Sequence, residues 1–456
     1  MKDSESINLK IKKGYNLPIL GASEESSETP LSLKPSTVAI YPDDFEGFIP
    51  KLDIKVGQTV KAGDSLMHHK NDPEICLATP LSGTVRDIVR GDRRHIICVI
   101  IDVDHSSEIR KFPIPNIREA SAQELKKLLA NSGILAFMRR RPYDIIPSLQ
   151  DNPRDIFITA FDSAPLARNK EWTEADAKIL ETGAHVLSKI TSGKVYLSHT
   201  KEQDFAFLKD YVTDVTVSGA HPAGLPGVQA ANIKPVNKGE CIWTLTAETL
   251  WRIGYLCLFG EANWTTSVFV DGSELSSSAL VDTFIGAPIK EILATFKLKE
   301  SPSNLRFISG NVLTGKKVDF ENGYLRYPYS QITVIPEISI KDEFMGWASL
   351  SKNKMSINPS YPGGWFKNKF RVDARINGGR RAMIMSGMYD KFVTMDIITE
   401  YLIKAINSRD IESMEKLGIY EVAPEDFALA EVMDSSKLPL QKIVREGLDF
   451  LRKELE

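Results

Sequence analysis

The chain has 456 residues and a formal net charge of −3, with 42% apolar and 26% charged residues. This composition is typical of a soluble multidomain protein, and the weak negative charge argues against a nucleic-acid partner. The longest strictly apolar run, Ile96–Ile101, is far shorter than the ~20 residues that a membrane-spanning helix needs. The four cysteines are scattered and form no CxxC pair, which indicates buried thiols rather than an iron–sulfur ligand set.

Residues 57–85 alternate short apolar stretches with glycine turns, in two halves that are similar to each other. Gly57 and Gly63 lie in the first half, and the stretch Pro80–Val85 opens the second. Glycine supplies the positive φ that tight turns need, and alternating apolar residues are typical of half-buried strands. The pattern predicts a biotinyl/lipoyl-like barrel-sandwich domain. We place it, with an N-terminal strand and a polar linker, in residues 1–115.

Lys70 lies near the hairpin position at which carrier domains present a modified lysine. Carriers have an acidic residue or a methionine beside that lysine, whereas this chain has His69 and Asn71. The sequence therefore argues against modification. His68 and His69 point to opposite faces of a strand and cannot chelate one metal ion. No HExxH, Ser-His-Asp order or phosphate-binding loop is present, so we expect no independent active site.

From residue 116 the pattern changes to alternating helices and strands. Capping boxes at Ser121–Glu124 and Thr173–Asp176 predict two helix starts. The predicted buried strands are Asp155–Ala160, Lys194–Ser198 and Thr213–Val217. This spacing is typical of βαβ units and predicts a Rossmann-like α/β domain over residues 116–260. No GxGxxG follows these strands, which argues against a dinucleotide at the usual helix terminus.

The remaining chain is predicted to form two further units. Residues 261–340 contain short strands around a helix that begins near Pro288, which suggests a β-grasp (SLBB-like) domain. Residues 341–456 hold a connecting segment and a C-terminal helical domain. The two apolar helix stripes are Ile398, Leu402 and Ile406, and Leu440, Val444, Leu448 and Leu451. The predicted fold class is therefore α/β multidomain.

The first candidate contact segment places Arg139, Arg140 and Arg141 beside Phe137 and Tyr143. A guanidinium can donate to a carbonyl, a phosphate or a carboxylate, and aromatic rings offer flat apolar faces. The segment is therefore a candidate binding site. The alternative is an ordinary solvated face of the surface.

The second candidate segment is the loop that contains His221, Gly224 and Gly227. It follows the third strand of the α/β domain, at the end of the sheet where such domains bind ligands or partners. The alternative is a packed turn. The aromatic stretches Tyr324–Tyr329 and Tyr361–Phe366 are expected to cover joints between domains. The alternative is that they are exposed and form docking surfaces.

Seven motifs, in this order, resemble the A subunits (NqrA) of bacterial Na⁺-translocating NADH:quinone reductases. They are INLKIKKGYNLPILG, ATPLSGTV, RRRPYDIIP, DIFITAFDSAPLA, SGAHPAGLPG, RFISGNVLTGKKV and FMGW at 344–347. The resemblance implies a peripheral protein on the cytoplasmic side of the bacterial inner membrane, docked on the membrane-embedded B subunit and on the other subunits. It also implies a role in quinone binding, with ubiquinone or menaquinone as the substrate of the complex. No covalent cofactor, flavin, iron–sulfur centre or metal is expected, and both candidate segments become candidate quinone or partner contacts.

Two relatives with cofactors share this architecture. The flavin subunit of complex I has a glycine-rich loop where this chain has the bulky stretch Gly133–Met138, and the Rnf C subunit has CxxCxxC repeats where this chain has no cysteine after Cys257. Many relatives also have a histidine-containing strand where this chain has Val228–Asn232, so no role is carried over there. The alternatives are an Rnf-type electron-transport subunit, a free-standing carrier enzyme with modified Lys70, and a scaffold without quinone contact.

Overall fold

The computed structural model describes residues 6–25, 30–104, 106–338, 355, 365 and 369–456. The motif at 344–347 lies outside these residues, as does the 361–366 aromatic stretch apart from Trp365. Strands and helices are numbered here in chain order. The strands of the described chain form four sheets, and the predicted α/β multidomain class is confirmed.

Two small sheets form the barrel-sandwich domain. The first contains β4 (Thr37–Ile40), β6 (Thr59–Val60), β9 (Gly83–Arg90) and β10 (Ile96–Val103). The second contains β5 (Pro50–Leu52), β7 (Ser65–His69) and β8 (Asp72–Ala78). Gly57 and Gly63 have φ values of 83° and 89°, as the turn pattern predicts. Alternate residues such as Leu66, Leu77 and Val99 are buried in the shared core.

The α/β domain is built on a six-stranded sheet with the order β1–β14–β13–β12–β15–β11. Its strands are β1 (Ile7–Lys10), β11 (Arg139–Arg141), β12 (Asp155–Thr159), β13 (Val195–His199), β14 (Thr213–Ser218) and β15 (Ile242–Thr246). Its helices are α1 (Ala122–Asn131), α2 (Glu174–Ile190), α3 (Pro226–Ile233) and α4 (Ala247–Phe259). All neighbours in the sheet are parallel except β11, which is antiparallel to β15. The predicted capping boxes begin α1 and α2.

The first strand of the chain belongs to this α/β sheet and not to the barrel sandwich. In β1, Ile7 lies opposite Val215 of β14 in a parallel register. The sequence groups β1 with the 1–115 region only because this strand precedes the sandwich along the chain. Strand pairing over about 200 residues is a tertiary property that local patterns do not carry.

Helices α2 and α4 approach closely because glycines face each other at their crossing. A Cβ on Gly254 would lie 1.8 Å from the carbonyl oxygen of Ile179, and one on Gly183 would lie 2.4 Å from that of Leu250. No side chain fits at either position. The two helices therefore form a rigid layer on one face of the sheet.

The third unit is a seven-stranded sheet that matches the predicted β-grasp domain. It contains β2 (Glu24–Glu25), β3 (Leu31–Ser32), β16 (Thr265–Asp271), β17 (Ser277–Phe284), β18 (Leu305–Ser309), β19 (Lys316–Val318) and β20 (Gln331–Pro336). The helix predicted near Pro288 is the single turn α5 (Ile289–Ile292). Strands β2 and β3 come from the N-terminal linker and both pair with β17.

The C-terminal region is helical, as predicted. Its helices are α6 (Thr399–Ser408), α7 (Ile411–Lys416), α8 (Ala428–Met433) and α9 (Leu440–Leu455). The four predicted stripe residues of α9 are fully buried. The prediction for the other stripe is wrong at one end, because Ile398 precedes the first turn of α6 and is 57% exposed. Among the described residues, no helix is long and apolar enough to cross a membrane.

Candidate functional site

Arg141, on edge strand β11, lies inside the protein rather than on its surface. Only 1% of the residue is exposed. Its guanidinium donates to the Asp426 carboxylate at 3.0 Å, to Glu425 at 3.2 Å and to the Glu421 carbonyl at 3.1 Å. The solvated-face alternative is therefore wrong for this residue. Arg141 joins the α/β domain to the C-terminal helices.

The two candidate segments meet at this guanidinium. Gly227 is the second residue of α3, and a Cβ added there would lie 2.1 Å from the Arg141 Cζ atom. Only glycine leaves room for the guanidinium at this point. The structure thus brings Arg141 and Gly227 together, and it explains both residues by packing.

The Arg141 cluster contains more carboxylate than the guanidinium can neutralise. Burial, with the neighbouring Asp144 and Asp426 charges, raises the pKa of Glu425 to about 8. Burial also raises the pKa of Asp426 against the opposing effect of Arg141. The Asp426, Asp144 and Glu425 charges outweigh the effect of burial on Arg141 and raise its pKa. Arg141 therefore stays charged, and each of the two carboxyl groups is harder to ionise here than in water.

The other two arginines also have partners within the chain. Arg139 donates to the carbonyl of Asp44 at 2.8 Å, and its guanidinium carbon lies 5.8 Å from the Tyr327 ring centroid. Arg140 pairs with Asp151 at 3.6 Å and with the terminal Glu456. Both are half-buried. The Nη1 atom of Arg139 is buried and has no hydrogen-bond partner among the described residues.

Tyr143 is buried beside the same strand, at the joint with the C-terminal helices. Its ring meets Tyr420 edge-on with centroids 6.5 Å apart, and the Arg140 guanidinium carbon lies 5.7 Å from its centroid. The residue has a positive φ of 80°, which is uncommon outside glycine and marks a tight turn. Tyr143 thus contributes to the joint rather than to an open surface.

His221 is 2% exposed and belongs to a hydrogen-bonded turn. Its Nδ1 lies 3.1 Å from the Ser163 hydroxyl, which accepts the Gly224 amide at 2.8 Å. A Cβ on Gly224 would lie 2.6 Å from the Ser163 amide nitrogen, so this glycine permits the close approach. The Nε2 atom of His221 is buried without a partner among the described residues. Burial lowers the pKa of His221 to about 4.

Acidification should therefore destabilise the protein through His221. The folded state holds the ring neutral down to about pH 4, whereas the unfolded chain gains a proton near the usual pKa of 6.5. Stability is lost as the pH falls through this window, by about 2 kcal/mol between pH 7 and pH 5. Urea unfolding at both pH values should show this loss reduced in His221→Asn. The His95→Asn variant, which changes an exposed histidine, should show the same loss of stability as wild type. Equal losses in wild type and both variants would exclude His221 as the cause.

Phe137 lies at a different place, in an aromatic cluster where three domains meet. Its ring centroid lies 4.4 Å from that of Tyr327 and 5.2 Å from that of Trp264, and Phe45 stacks on Tyr327 at 4.9 Å. Tyr327 is half-buried at this joint and Tyr324 is buried, which agrees with the expectation for the 324–329 stretch. The Tyr327 hydroxyl donates to the Phe137 carbonyl at 2.7 Å.

A narrow apolar pocket borders this cluster. Its lining residues are Ile40, Phe45, Leu77, Ala78, Pro80, Phe137, Trp264 and Ile285. The free volume is about 10 Å³, which is room for about one water molecule. Trp264 is buried, and its indole N–H has no acceptor among the described residues. Buried donors are normally satisfied, so this N–H is the least explained polar group of the pocket.

Sequence reasoning missed Glu425, Asp426 and Trp264. Pro424 begins a short helical turn, but nothing in the local sequence shows that the acidic residues of this turn bind an arginine on β11. Trp264 follows α4 in the sequence and carries no motif. Lys70 is exposed in the turn between β7 and β8, where a carrier would present it.

All four cysteines are free thiols. Burial raises the pKa of Cys76 to about 11 and those of Cys241 and Cys257 to about 12, and it also raises that of Cys98. Thiolates, not thiols, bind metals. The described residues contain no group of three or more His, Cys, Asp or Glu side chains that could hold a metal ion.

Comparison with known protein families finds NqrA domains along the chain. Family models match at residues 9–104 (NqrA N-terminal barrel-sandwich hybrid domain), 120–262 (NqrA second alpha/beta domain) and 268–319 (NQRA C-terminal domain).

Several curated relatives are named as the A subunit of Na(+)-translocating NADH-quinone reductase. The Pasteurella multocida relative is 30% identical over 450 residues, which cover 97% of this chain and 99% of the relative. The Yersinia pseudotuberculosis relative is 31% identical over 453 residues, which cover 98% and 100%. The Vibrio vulnificus relative is 31% identical over 448 residues, which cover 97% and 99%. The chain therefore belongs to the NqrA family, the A subunits of the Na⁺-translocating NADH-quinone reductase, a multisubunit enzyme complex.

Proposed function

We propose that this chain is a peripheral component that carries no redox centre and helps the complex to bind and reduce quinone. The complex would oxidise NADH, reduce ubiquinone or menaquinone, and export Na⁺. In this proposal the chain docks on the membrane-embedded B subunit from the cytoplasmic side. Electron and ion transfer belong to its partners, and this chain supplies a rigid frame and a quinone contact.

Two features support a chain without flavin or iron–sulfur centre. The stretch 133–138 folds back on itself in a short helix, and the side chains of Ile134 to Met138 are all buried. The backbone there cannot present a row of free amides to a phosphate. The four cysteines are scattered along the sequence without a CxxC pair, whereas iron–sulfur clusters are held by sets of cysteines.

The observation that carries the quinone contact is the indole N–H of Trp264, which is unpaired among the described residues and belongs to a residue that lines the apolar pocket. A quinone ring can stack on Phe45 or Phe137 while one carbonyl accepts from Trp264. Arg139, which lies against the same aromatic cluster, adds a second unpaired N–H. The pocket has a volume of only about 10 Å³, so binding requires the aromatic side chains to move apart. Arg141, Tyr143, His221, Gly224 and Gly227 then support this contact from the neighbouring joint.

The test is titration of a quinone analogue against Trp264→Phe in the assembled complex. Loss of one neutral hydrogen bond should weaken binding about fivefold. Trp243→Phe changes another fully buried tryptophan, which does not line the pocket, and should bind as wild type. Equal affinities for all three proteins would remove Trp264 from the quinone contact.

The purified chain itself should be colourless and unable to oxidise NADH. The expected visible spectrum is flat, with neither a flavin band nor an iron–sulfur shoulder. Intact mass should equal the unmodified sequence, which also tests modification of Lys70. Flavin or iron near one per chain after mild purification would contradict the proposal.

A further inference from the structure

The loop of residues 376–387 and the start of α6 form a surface of exposed apolar side chains. Ile376 is 64% exposed and Ile384 is 51% exposed. Beside them, Ile398 is 57% exposed and Tyr401 is 56% exposed. Met385 is also exposed and contacts Lys404 on α6. We call this the 376–401 surface.

Buried groups hold the loop in place. The Arg381 amide donates to the Ser436 carbonyl at 2.9 Å, and the Ile384 amide donates to the Ser436 hydroxyl at 3.3 Å. The amides of Ser386 and Gly387 both donate to the buried Glu400 carboxylate, at 3.0 and 2.8 Å. The apolar side chains are therefore presented outwards by an anchored backbone.

Cations border the apolar side chains. Arg380 and Arg381 lie in the loop, Lys404 lies on α6, and the Lys437 Cε lies 3.9 Å from where a Gly378 Cβ would be. None of the four makes an ion pair with a residue that the structure describes. The nearby Glu400 carboxylate accepts from the loop amides instead. The surface thus combines unpaired positive charge with exposed apolar groups.

We propose that the 376–401 surface binds the anionic phospholipid face of a membrane. Arginine and lysine pair with lipid phosphates, while isoleucine, methionine and tyrosine enter the boundary between headgroups and acyl chains. Neither the cationic side chains nor the apolar side chains alone suffice for stable membrane binding, and here both occur together on one anchored loop. This inference goes beyond the proposed quinone contact and does not depend on it.

The test is co-sedimentation of the purified full-length chain with phospholipid vesicles. Wild type should bind vesicles that contain phosphatidylglycerol, and it should bind pure phosphatidylcholine vesicles much more weakly. Arg380→Gln with Arg381→Gln should weaken binding to the anionic vesicles about thirtyfold. Ile384→Ser with Met385→Ser should weaken it about tenfold. Added salt should reduce the first effect and leave the second.

The matched control is Arg93→Gln with Arg94→Gln, a pair of adjacent exposed arginines between β9 and β10. This pair should bind as wild type, because it lies outside the surface. Every variant should keep the wild-type melting temperature, and a double variant that does not is replaced by its two single substitutions.

Three results would overturn the proposal. They are equal binding of wild type to both kinds of vesicle, no binding to either, and wild-type binding by both loop variants. If the loop variants instead lose copurification with membrane subunits while vesicle binding is unchanged, the surface contacts a protein and the lipid proposal is wrong.

Discussion

Replacing Arg141 with alanine is expected to lower the free energy of unfolding by about 3–5 kcal/mol. The substitution leaves the buried Asp426 and the partly exposed Glu425 without their cation, and it removes a donor to the Glu421 carbonyl. Thermal and urea unfolding of the purified chain measure the effect.

Two further variants separate the buried network from a general loss of charge. Arg306→Ala breaks a partly exposed pair with Glu337 and should cost no more than about 1 kcal/mol. Adding Asp426→Asn and Glu425→Gln to Arg141→Ala should recover part of the loss, because the negative charges left without their cation, above all that of the buried Asp426, are then removed. A stable Arg141→Ala protein with weakened quinone-analogue binding would make Arg141 a direct quinone contact after all.

Ending the chain after Pro439 is expected to lower the free energy of unfolding by as much as the total stability of a typical domain. The deleted helix α9 buries Leu440, Val444, Leu448 and Leu451 completely. At about 1.5–3 kcal/mol for each side chain, the loss is about 6–12 kcal/mol. The truncated chain should show a lower melting temperature and rapid proteolysis of the C-terminal region.

The deletion also removes hydrogen bonds between α9 and the turn that follows β11. Arg445 donates to the carbonyls of Tyr143 and Asp144, at 2.7 and 3.2 Å. We therefore expect the truncated chain to copurify poorly with the membrane subunits. Lys442→Ala, on the exposed side of the same helix, should behave as wild type. An unchanged melting temperature and normal assembly of the truncated chain would show that α9 is dispensable.

Local sequence was sufficient where a structure depends on neighbouring residues. The capping boxes at Ser121 and Thr173, the turn glycines 57 and 63 and the apolar period of α9 all predicted elements that the structure contains. Each signal arises within a few residues, from backbone hydrogen bonding or from side-chain periodicity. The order of the motifs was likewise enough to indicate the family.

The partners of the candidate residues were decided only by the tertiary structure. Arg141 and Asp426 are 285 residues apart, and the sequence around each is equally compatible with a surface charge. The pairing of β1 with β14 and the meeting of Phe137 with Trp264 likewise depend on how whole domains pack. A guanidinium in solvent and one in a buried network share the same local sequence. Burial and charge pairing distinguish them, and both are set by contacts between distant parts of the chain.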